Sequence, residues 1–203
     1  LLGFQTVRDT RNFVACLRAL MRGTRIVRHG ESFAIELPGR TVHVGSFPIG
    51  IDFGHFNARA GSADVSDTLG QLRESLPGQQ MILGVDRLDY TKGLPERLRA
   101  LQFALRRYPD LVAAVTLVQV VVPSREDVPE YQALKAEIEQ LVGEINGEFT
   151  RPGWAPIQYI YHALSETELL AYYRRADICL VTPLKDGMNL VAKEYCASKS
   201  DLD

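Results

Sequence analysis

Residues 177–195 read DICLVTPLKDGMNLVAKEY: an apolar run, a charged turn that holds Gly187, and a stretch of helix formers. The pattern predicts a buried strand over 177–181 and a helix over 188–198. An open parallel sheet presents its ligand crevice at the carboxyl ends of its strands, where the following helices point their positive N-termini. Gly187 allows the backbone to come close to a ligand there. At 100° per residue, Glu194 stands only about 20° from Gly187 around the helix axis and roughly 10 Å further along it, so its carboxylate is placed to line the same crevice.

A second strand ends in the same style. MILGV at 81–85 runs into DRLDYTKGLP at 86–95 and then into a helix. Arg87 and Lys92 fall in the predicted loop. Two cations in the turn between a buried strand and a helix N-terminus form a clamp suited to a pyrophosphate, because a guanidinium fork and an ammonium both satisfy phosphate oxygens. The two loops together propose a sugar-nucleotide site.

Further out, the alternation continues. The helix after Gly93 carries Leu94, Leu98, Leu101 and Leu105 on one face, with Arg97, Arg99, Arg106 and Arg107 elsewhere. A continuous apolar run covers 115–122. Pro123-Ser124-Arg125-Glu126 leads to a helix with Asp127 as its expected cap, an inner stripe of Val128, Tyr131, Leu134, Ile138 and Leu141, and an end marked by Gly143 and Gly147. Residues 157–161 read as a strand, and Ser165 with Glu168 is a capping-box signature. Four strand-helix units with buried, non-alternating strands call for an α/β fold: a Rossmann-like parallel sheet with helices on both faces.

The first fifty residues differ in style. Phe13, Val14, Leu17, Leu20 and Met21 repeat at helical spacing, and short alternating runs follow, turning at Pro38-Gly39. Residues 47–61 read as a crossing between domains, with the boundary near residue 50. The chain opens without an initiator Met and its last five residues follow directly on a helix that should lead to another strand, so it is expected to be a piece of a longer protein.

Composition narrows the function classes. Twenty-three basic residues against 25 acids give a net charge of −2, with no long basic block, which argues against a nucleic-acid surface. No apolar run approaches the roughly 20 residues that span a bilayer, and no cationic leader precedes an apolar core. Cys16, Cys179 and Cys196 lie far apart in apolar patterns and suit buried, reduced thiols in a cytoplasmic protein. His29, His43, His55 and His162 show no ligand spacing, so no metal is expected. Neither a Gly-x-Gly-x-x-Gly turn nor a phosphate loop ending in Gly-Lys-Ser/Thr is present, which counts against dinucleotide oxidoreductases and nucleotide triphosphatases.

On the residues alone two readings of the charged positions stand. Arg87 and Lys92 are either a phosphate clamp or ordinary solvated loop charges. Glu194 is either a pocket acceptor or a surface carboxylate paired along its helix. Asp186 is a pocket residue, a helix cap, or both, and Arg125 either meets a ligand or pairs with Glu126 or Asp127.

RLDYTKGLPER at 87–97 and DGMNLVAKEY at 186–195 resemble the retaining glycosyltransferases that make trehalose 6-phosphate, glycosyltransferase family 20. LGFQT at 2–6, PIGI at 48–51, VPSR at 122–125, ING at 145–147 and GWAP at 153–156 follow in the order this family shows. The resemblance implies a two-domain enzyme of the GT-B type that transfers glucose from UDP-glucose to glucose 6-phosphate. Residues 1–50 would be the C-terminal part of the acceptor-side domain, and 51–203 the donor-binding domain, truncated at its C-terminus.

Carried over by residue, Arg87 and Lys92 would bind the donor diphosphate and neutralise the departing UDP. Glu194 would accept from the ribose hydroxyls. The amides of Leu190 and Val191 would meet the phosphate, with Ala192 and Lys193 in the same motif. Asp186 and the backbone of Gly187, Met188 and Asn189 would hold the transferred glucose. Leu164 would face the uracil, where some members carry an aromatic residue, and Arg125 would reach the acceptor phosphate. The same resemblance implies no cofactor or metal, small-molecule substrates, no nucleic-acid or membrane partner, and room for a homo-oligomer. A sibling enzyme that uses glycerol 3-phosphate or a cyclitol phosphate fits the same donor motifs. So does a non-catalytic donor-domain fragment, which would bind UDP weakly and turn nothing over.

Overall fold

The computed structural model describes residues 1–199. The end of the chain at 200–203, where a continuation was expected, lies outside the described residues. The chain divides into two compact units, Leu1–Ile51 and the residues from Asp52 onward.

In the first unit, β1 (Leu2–Phe4) is followed by α1 (Val7–Leu20), whose N-terminus is capped by Thr6 accepting from the Asp9 amide at 3.1 Å. Two hairpins then link β2 (Arg25–His29), β3 (Ser32–Leu37) and β4 (Arg40–Ser46). The turns fall at Gly30 and Gly39, with φ of 62° and 77°, a region open to glycine at no steric cost. The sheet order is β1-β4-β3-β2, with only β1 and β4 parallel. Val14 packs on Phe33, Ile35 and Val44 to close a small core.

The second unit begins with a helix inside the stretch 47–61, where an irregular crossing was expected, and a second helix comes after it. Asp52 caps α2 (Phe53–Ala60) by accepting from the His55 amide at 3.0 Å, and α3 (Ala63–Ser75) follows. Arg59 binds Asp64 with two contacts of 2.9 Å and so closes the corner between the two helices. These helices are read poorly because their buried residues are few: Ala60, Val65 and Leu69.

A four-stranded parallel sheet follows, built from β5 (Gln80–Arg87), β6 (Val115–Val122), β7 (Ile157–Ile160) and β8 (Ile178–Cys179) in the order β7-β6-β5-β8. Between them run α4 (Leu94–Arg107), α5 (Pro129–Phe149) and α6 (Glu166–Arg175), and α7 (Leu190–Ser198) follows β8. The alternation along β6 shows which face each helix covers. Val115, Leu117 and Val121 pack with Leu94, Leu98, Ile138 and Ile145 of α4 and α5, whereas Val118 and Val120 pack with Leu170, Ala171 and Tyr173 of α6.

The strand order reverses after β7. The chain steps from β5 to β6 to β7 in one direction, with α4 and α5 on one face. It then returns past β5 to β8 with α6 on the other, as right-handed crossovers require. The switch point lies between β5 and β8, and a crevice is expected outside their carboxyl ends.

Several local expectations need correction. The strand of 177–181 is shorter than read and lies at the sheet edge, where Ile178 is 47% exposed. Gly143 and Gly147 do not end α5, which runs on to Phe149: packing of Ile138, Leu141, Ile145 and Phe149 outweighs the roughly 1 kcal/mol that each glycine costs in a helix. Asp127 is not the cap of that helix. Val128 holds the cap position and Pro129 starts the first turn, where its missing N–H does no harm. The cysteines are not buried: Cys16 and Cys196 are exposed, Cys179 is partly so, and all three are free.

Candidate functional site: a crevice at the β5–β8 switch point

Arg87 is the last residue of β5 and not a loop residue, so the sheet itself fixes its backbone. Its side chain is 59% exposed and donates to Asp89 Oδ2 at 3.3 Å. Asp89 in turn shapes the turn that follows. Its Oδ1 accepts from the Thr91 amide at 2.9 Å and the Thr91 hydroxyl at 2.7 Å, which closes a single 3-10 turn over Tyr90–Lys92. Burial pushes the Asp89 carboxyl up, but the Thr91 and Arg87 donors outweigh it and hold the group below the usual carboxylate range.

Gly93 ends this turn in the left-handed region with φ of 65°, and α4 starts at the next residue with Pro95 in its first turn. A Cβ at Gly93 would stand 3.1 Å from Leu184 Cγ and 3.2 Å from the Thr182 carbonyl oxygen. The glycine therefore serves both conformation and close approach, because the segment after β8 is pressed against it.

Two contacts stitch the strand-end segments together. The Lys185 amide donates to the Thr91 carbonyl at 3.1 Å, and Lys92 Nζ donates to Asp186 Oδ2 at 2.7 Å. Both charged side chains are largely sheltered, at 18% and 19% exposure. Asp186 Oδ2 also accepts from Asn189 Nδ2 at 3.2 Å, while Asn189 Oδ1 caps α7 by accepting from the Ala192 amide at 3.1 Å. Lys92 first, then Asn189, holds the Asp186 carboxyl below its ordinary value.

A group with a depressed folded-state pKa stabilises above its unfolded pKa and loses that contribution as pH falls through the folded value. Asp186→Asn is therefore expected to lower stability by about 1 kcal/mol near neutrality. The gap to the unmutated protein should close on acidification below the ordinary carboxylate range, near pH 4. Unfolding midpoints measured across that range check this, and a gap that widens toward acid contradicts it.

Val85, Asp86, Arg87, Lys92, Asp186 and the residues 188–191 enclose a crevice of about 200 Å³. Larger concavities exist elsewhere, but this one joins two cations, two carboxylates and a helix N-terminus at the switch point. Of the sequence-predicted residues, the structure brings Arg87, Lys92, Asp186, Met188, Asn189, Leu190 and Val191 together here.

The others stand apart. Gly187 is outside the lining, and a Cβ added to it would meet nothing within 4 Å. The Ala192 amide is taken by the Asn189 cap, and Lys193 lies beyond the lining. Glu194 is a turn further along α7, where its Oε2 accepts from the Tyr173 hydroxyl at 2.8 Å. Tyr173 is fully buried, and its pKa is driven far up by burial and then by that carboxylate. Leu164 is half-buried against the same core as Val191 and Tyr195.

Arg125 follows β6 and adopts the left-handed region with φ of 51°, a strain of about 1–3 kcal/mol for a residue with a side chain. Its guanidinium donates to the Tyr131 hydroxyl at 3.0 Å and lies 5.5 Å over that ring. It does not line the crevice.

Beneath the crevice lies a buried polar group that the sequence reading missed. Arg97 was set apart from the apolar stripe of α4, yet it is 4% exposed. Its Nη1 donates to Asp86 Oδ2 at 2.5 Å and to Gln119 Oε1 at 2.9 Å, and its Nε donates to Thr182 Oγ1 at 3.0 Å. Burial raises the Asp86 pKa, against the pull of Arg97. The available signal was Gln119 in the middle of a strand that is apolar apart from it and Thr116, since a buried amide demands partners. Among the described residues no group of three or more His, Cys, Asp or Glu is placed to hold a metal ion, and no helix is long and apolar enough to cross a membrane.

The family pattern described as Glycosyltransferase family 20 matches residues 1–203. The chain belongs to glycosyltransferase family 20. Among family 20 relatives, an alpha,alpha-trehalose-phosphate synthase [UDP-forming] of Schizosaccharomyces pombe is 43% identical over 99% of this chain and 38% of its own length. Form A of Dictyostelium discoideum is 40% identical over 99% of this chain and 27% of its own length.

Solved family 20 structures agree on the fold. A UDP-forming synthase from Burkholderia xenovorans in complex with glucose-6-phosphate superposes with a TM-score of 0.87 at 35% identity, over 97% of this chain and 43% of that one. The Escherichia coli protein bound with UDP-2-fluoro glucose gives 0.85 at 38% identity, over 97% and 43%. The chain thus spans well under half the length of these relatives.

Proposed function

We propose that this chain carries the donor half of a glucosyltransferase that moves glucose from UDP-glucose to glucose 6-phosphate with retention, giving trehalose 6-phosphate and UDP. The observation that carries the reading is the convergence of Arg87, Lys92 and the N-terminus of α7 on one crevice at the switch point of the sheet. That crevice matches a nucleoside diphosphate sugar in chemistry. Relatives described as UDP-forming, and the relative bound with UDP-2-fluoro glucose, support the same substrate class.

In this reading residues 1–50 belong to the acceptor-side domain and residues from 51 onward bind the donor. Arg87 and Lys92 meet the diphosphate, and their charge grows in value as negative charge develops on the departing UDP. The amides of Leu190 and Val191, at the open end of α7, take the remaining phosphate oxygens. Asp186, with the backbone of Gly187, Met188 and Asn189, holds the glucose hydroxyls. Asp186 then exchanges its apo partner Lys92 for sugar hydroxyls, which frees the ammonium for phosphate.

Glu194 takes the ribose hydroxyls, held in place by Tyr173. Leu164 gives the uracil an apolar contact, and Ala192 and Lys193 support the start of the helix. Arg125, turned onto Tyr131 here, swings to the acceptor phosphate. The cell compartment proposed is the cytoplasm, in keeping with three free thiols.

The full-length protein, given UDP-glucose and a panel of phosphorylated acceptors, is expected to release UDP with glucose 6-phosphate and not with glycerol 3-phosphate. The opposite preference would replace this acceptor with its sibling. No UDP release with any acceptor would remove the reading.

A further inference from the structure

The strand-end segments that carry Lys92 and Asp186 are joined from below by one buried side chain that lies outside the crevice lining. Arg97 closes the first turn of α4 and reaches three elements: Asp86 near the end of β5, Gln119 in β6, and Thr182 in the segment after β8. Asp86 and Gln119 are themselves buried, at 7% and 0% exposure. The Gln119 amide completes the group by donating to the Gly84 carbonyl at 3.2 Å and the Val120 carbonyl at 3.1 Å.

Burying an ion pair this deeply adds little stability, because the loss of hydration offsets the attraction, and an apolar pair of the same volume often serves as well or better. Arg97 also leaves Nη2 without a hydrogen-bond partner among the described residues, a cost that an apolar core would not carry. The arrangement is thus poorly accounted for by stability, and its geometry suits another role. Asp86 lines the crevice beside Arg87 and Lys92 while its Oδ2 is held from behind by Arg97. A carboxylate freed at that spot would compete with the diphosphate for Lys92.

We propose, on the glucosyl-transfer reading above, that Arg97 is a positioning residue: by tying Asp86 to Thr182 it sets the separation of Lys92 and Asp186 and keeps Asp86 from capturing Lys92. The guanidinium is suited to this because it is a rigid fork with donors in several directions. Lysine at the same place can meet Asp86 but cannot span Asp86, Gln119 and Thr182 together.

The test uses the full-length protein with two variants, Arg97→Lys, which keeps the charge, and Thr182→Val, which removes only the acceptor oxygen. For each, kcat, KM for UDP-glucose, calorimetric affinity for UDP and the thermal midpoint are measured. A misplacement of about 1 Å at reacting groups costs on the order of 10²-fold, so Arg97→Lys is expected to lose about that in kcat. Thr182→Val should lose about tenfold or less on the same scale. Both should bind UDP more weakly at temperatures far below their midpoints.

A lowered midpoint with kcat and UDP affinity unchanged in both variants makes Arg97 a structural residue and overturns the proposal. If the unmutated protein binds UDP but transfers no glucose, the glucosyl-transfer reading fails, while weaker UDP binding in both variants still supports the positioning role. If the unmutated protein does not bind UDP, both fall before any variant is made.

Discussion

Lys92→Ala in the full-length protein is expected to reduce turnover by about 10²- to 10³-fold, the usual loss for one preorganised donor aimed at developing charge, or about 2.7–4 kcal/mol of barrier. The loss should not come from unfolding. The Lys92 ammonium donates to Asp186 at the mouth of the crevice, and ion pairs near a surface contribute about 1 kcal/mol or less. Its removal leaves Asp186 still held by Asn189 at 3.2 Å. The measurement is kcat with UDP-glucose and glucose 6-phosphate, beside a denaturation curve. Turnover equal to the unmutated protein would remove Lys92 from the clamp.

The largest stability effect is expected at Gly84→Ala. A Cβ there would run into Gln119 Oε1 and stand 2.6 Å from Arg97 Nη1, contacts that real Cβ atoms do not make. Overpacking a core costs about 1–3 kcal/mol, and displacing a partner of a buried charge costs about 3–5 kcal/mol. The two are one event here, so the expected loss is about 3–5 kcal/mol. Gly143→Ala provides the contrast, since a Cβ at that helical position meets nothing within 4 Å. It should stabilise by about 0.5–1 kcal/mol. Denaturant midpoints for the pair check both signs, and a Gly84→Ala protein as stable as its parent would show that the network yields.

What could be read from the sequence follows from what each signal measures. Apolar runs such as 115–122 mark strands buried on both faces, and they correctly implied a parallel sheet with helices on either side. The cations Arg87 and Lys92 and the glycine turn at 186–189 could be placed at strand ends because parallel topology brings all such ends to one edge. Distance along α7 was harder. The reading placed Glu194 by angle and axial rise from Gly187, but α7 starts only at Leu190, so Gly187 is not on that helix, and the Glu194 carboxylate meets Tyr173.

Arg97 was illegible for a different reason. A periodicity argument assigns charge to solvent, and α4 packs against both the sheet and α5, so its buried arc is wider than the leucine stripe. Helices α2 and α3 escaped notice because each buries few residues, so that neither shows a long apolar stripe.

The reversal of strand order between β5 and β8 means that each wall of the crevice answers to its own hydrophobic layer. Lys92 rides on the leucines of α4, and the start of α7 rides on Tyr173 and its neighbours. Drift in either layer re-aims one wall while the other stays put, so a lineage can retune the two walls separately. The cross-ties, among them Lys92 to Asp186, Lys185 to Thr91 and Arg97 to Thr182, oblige the two to evolve in step.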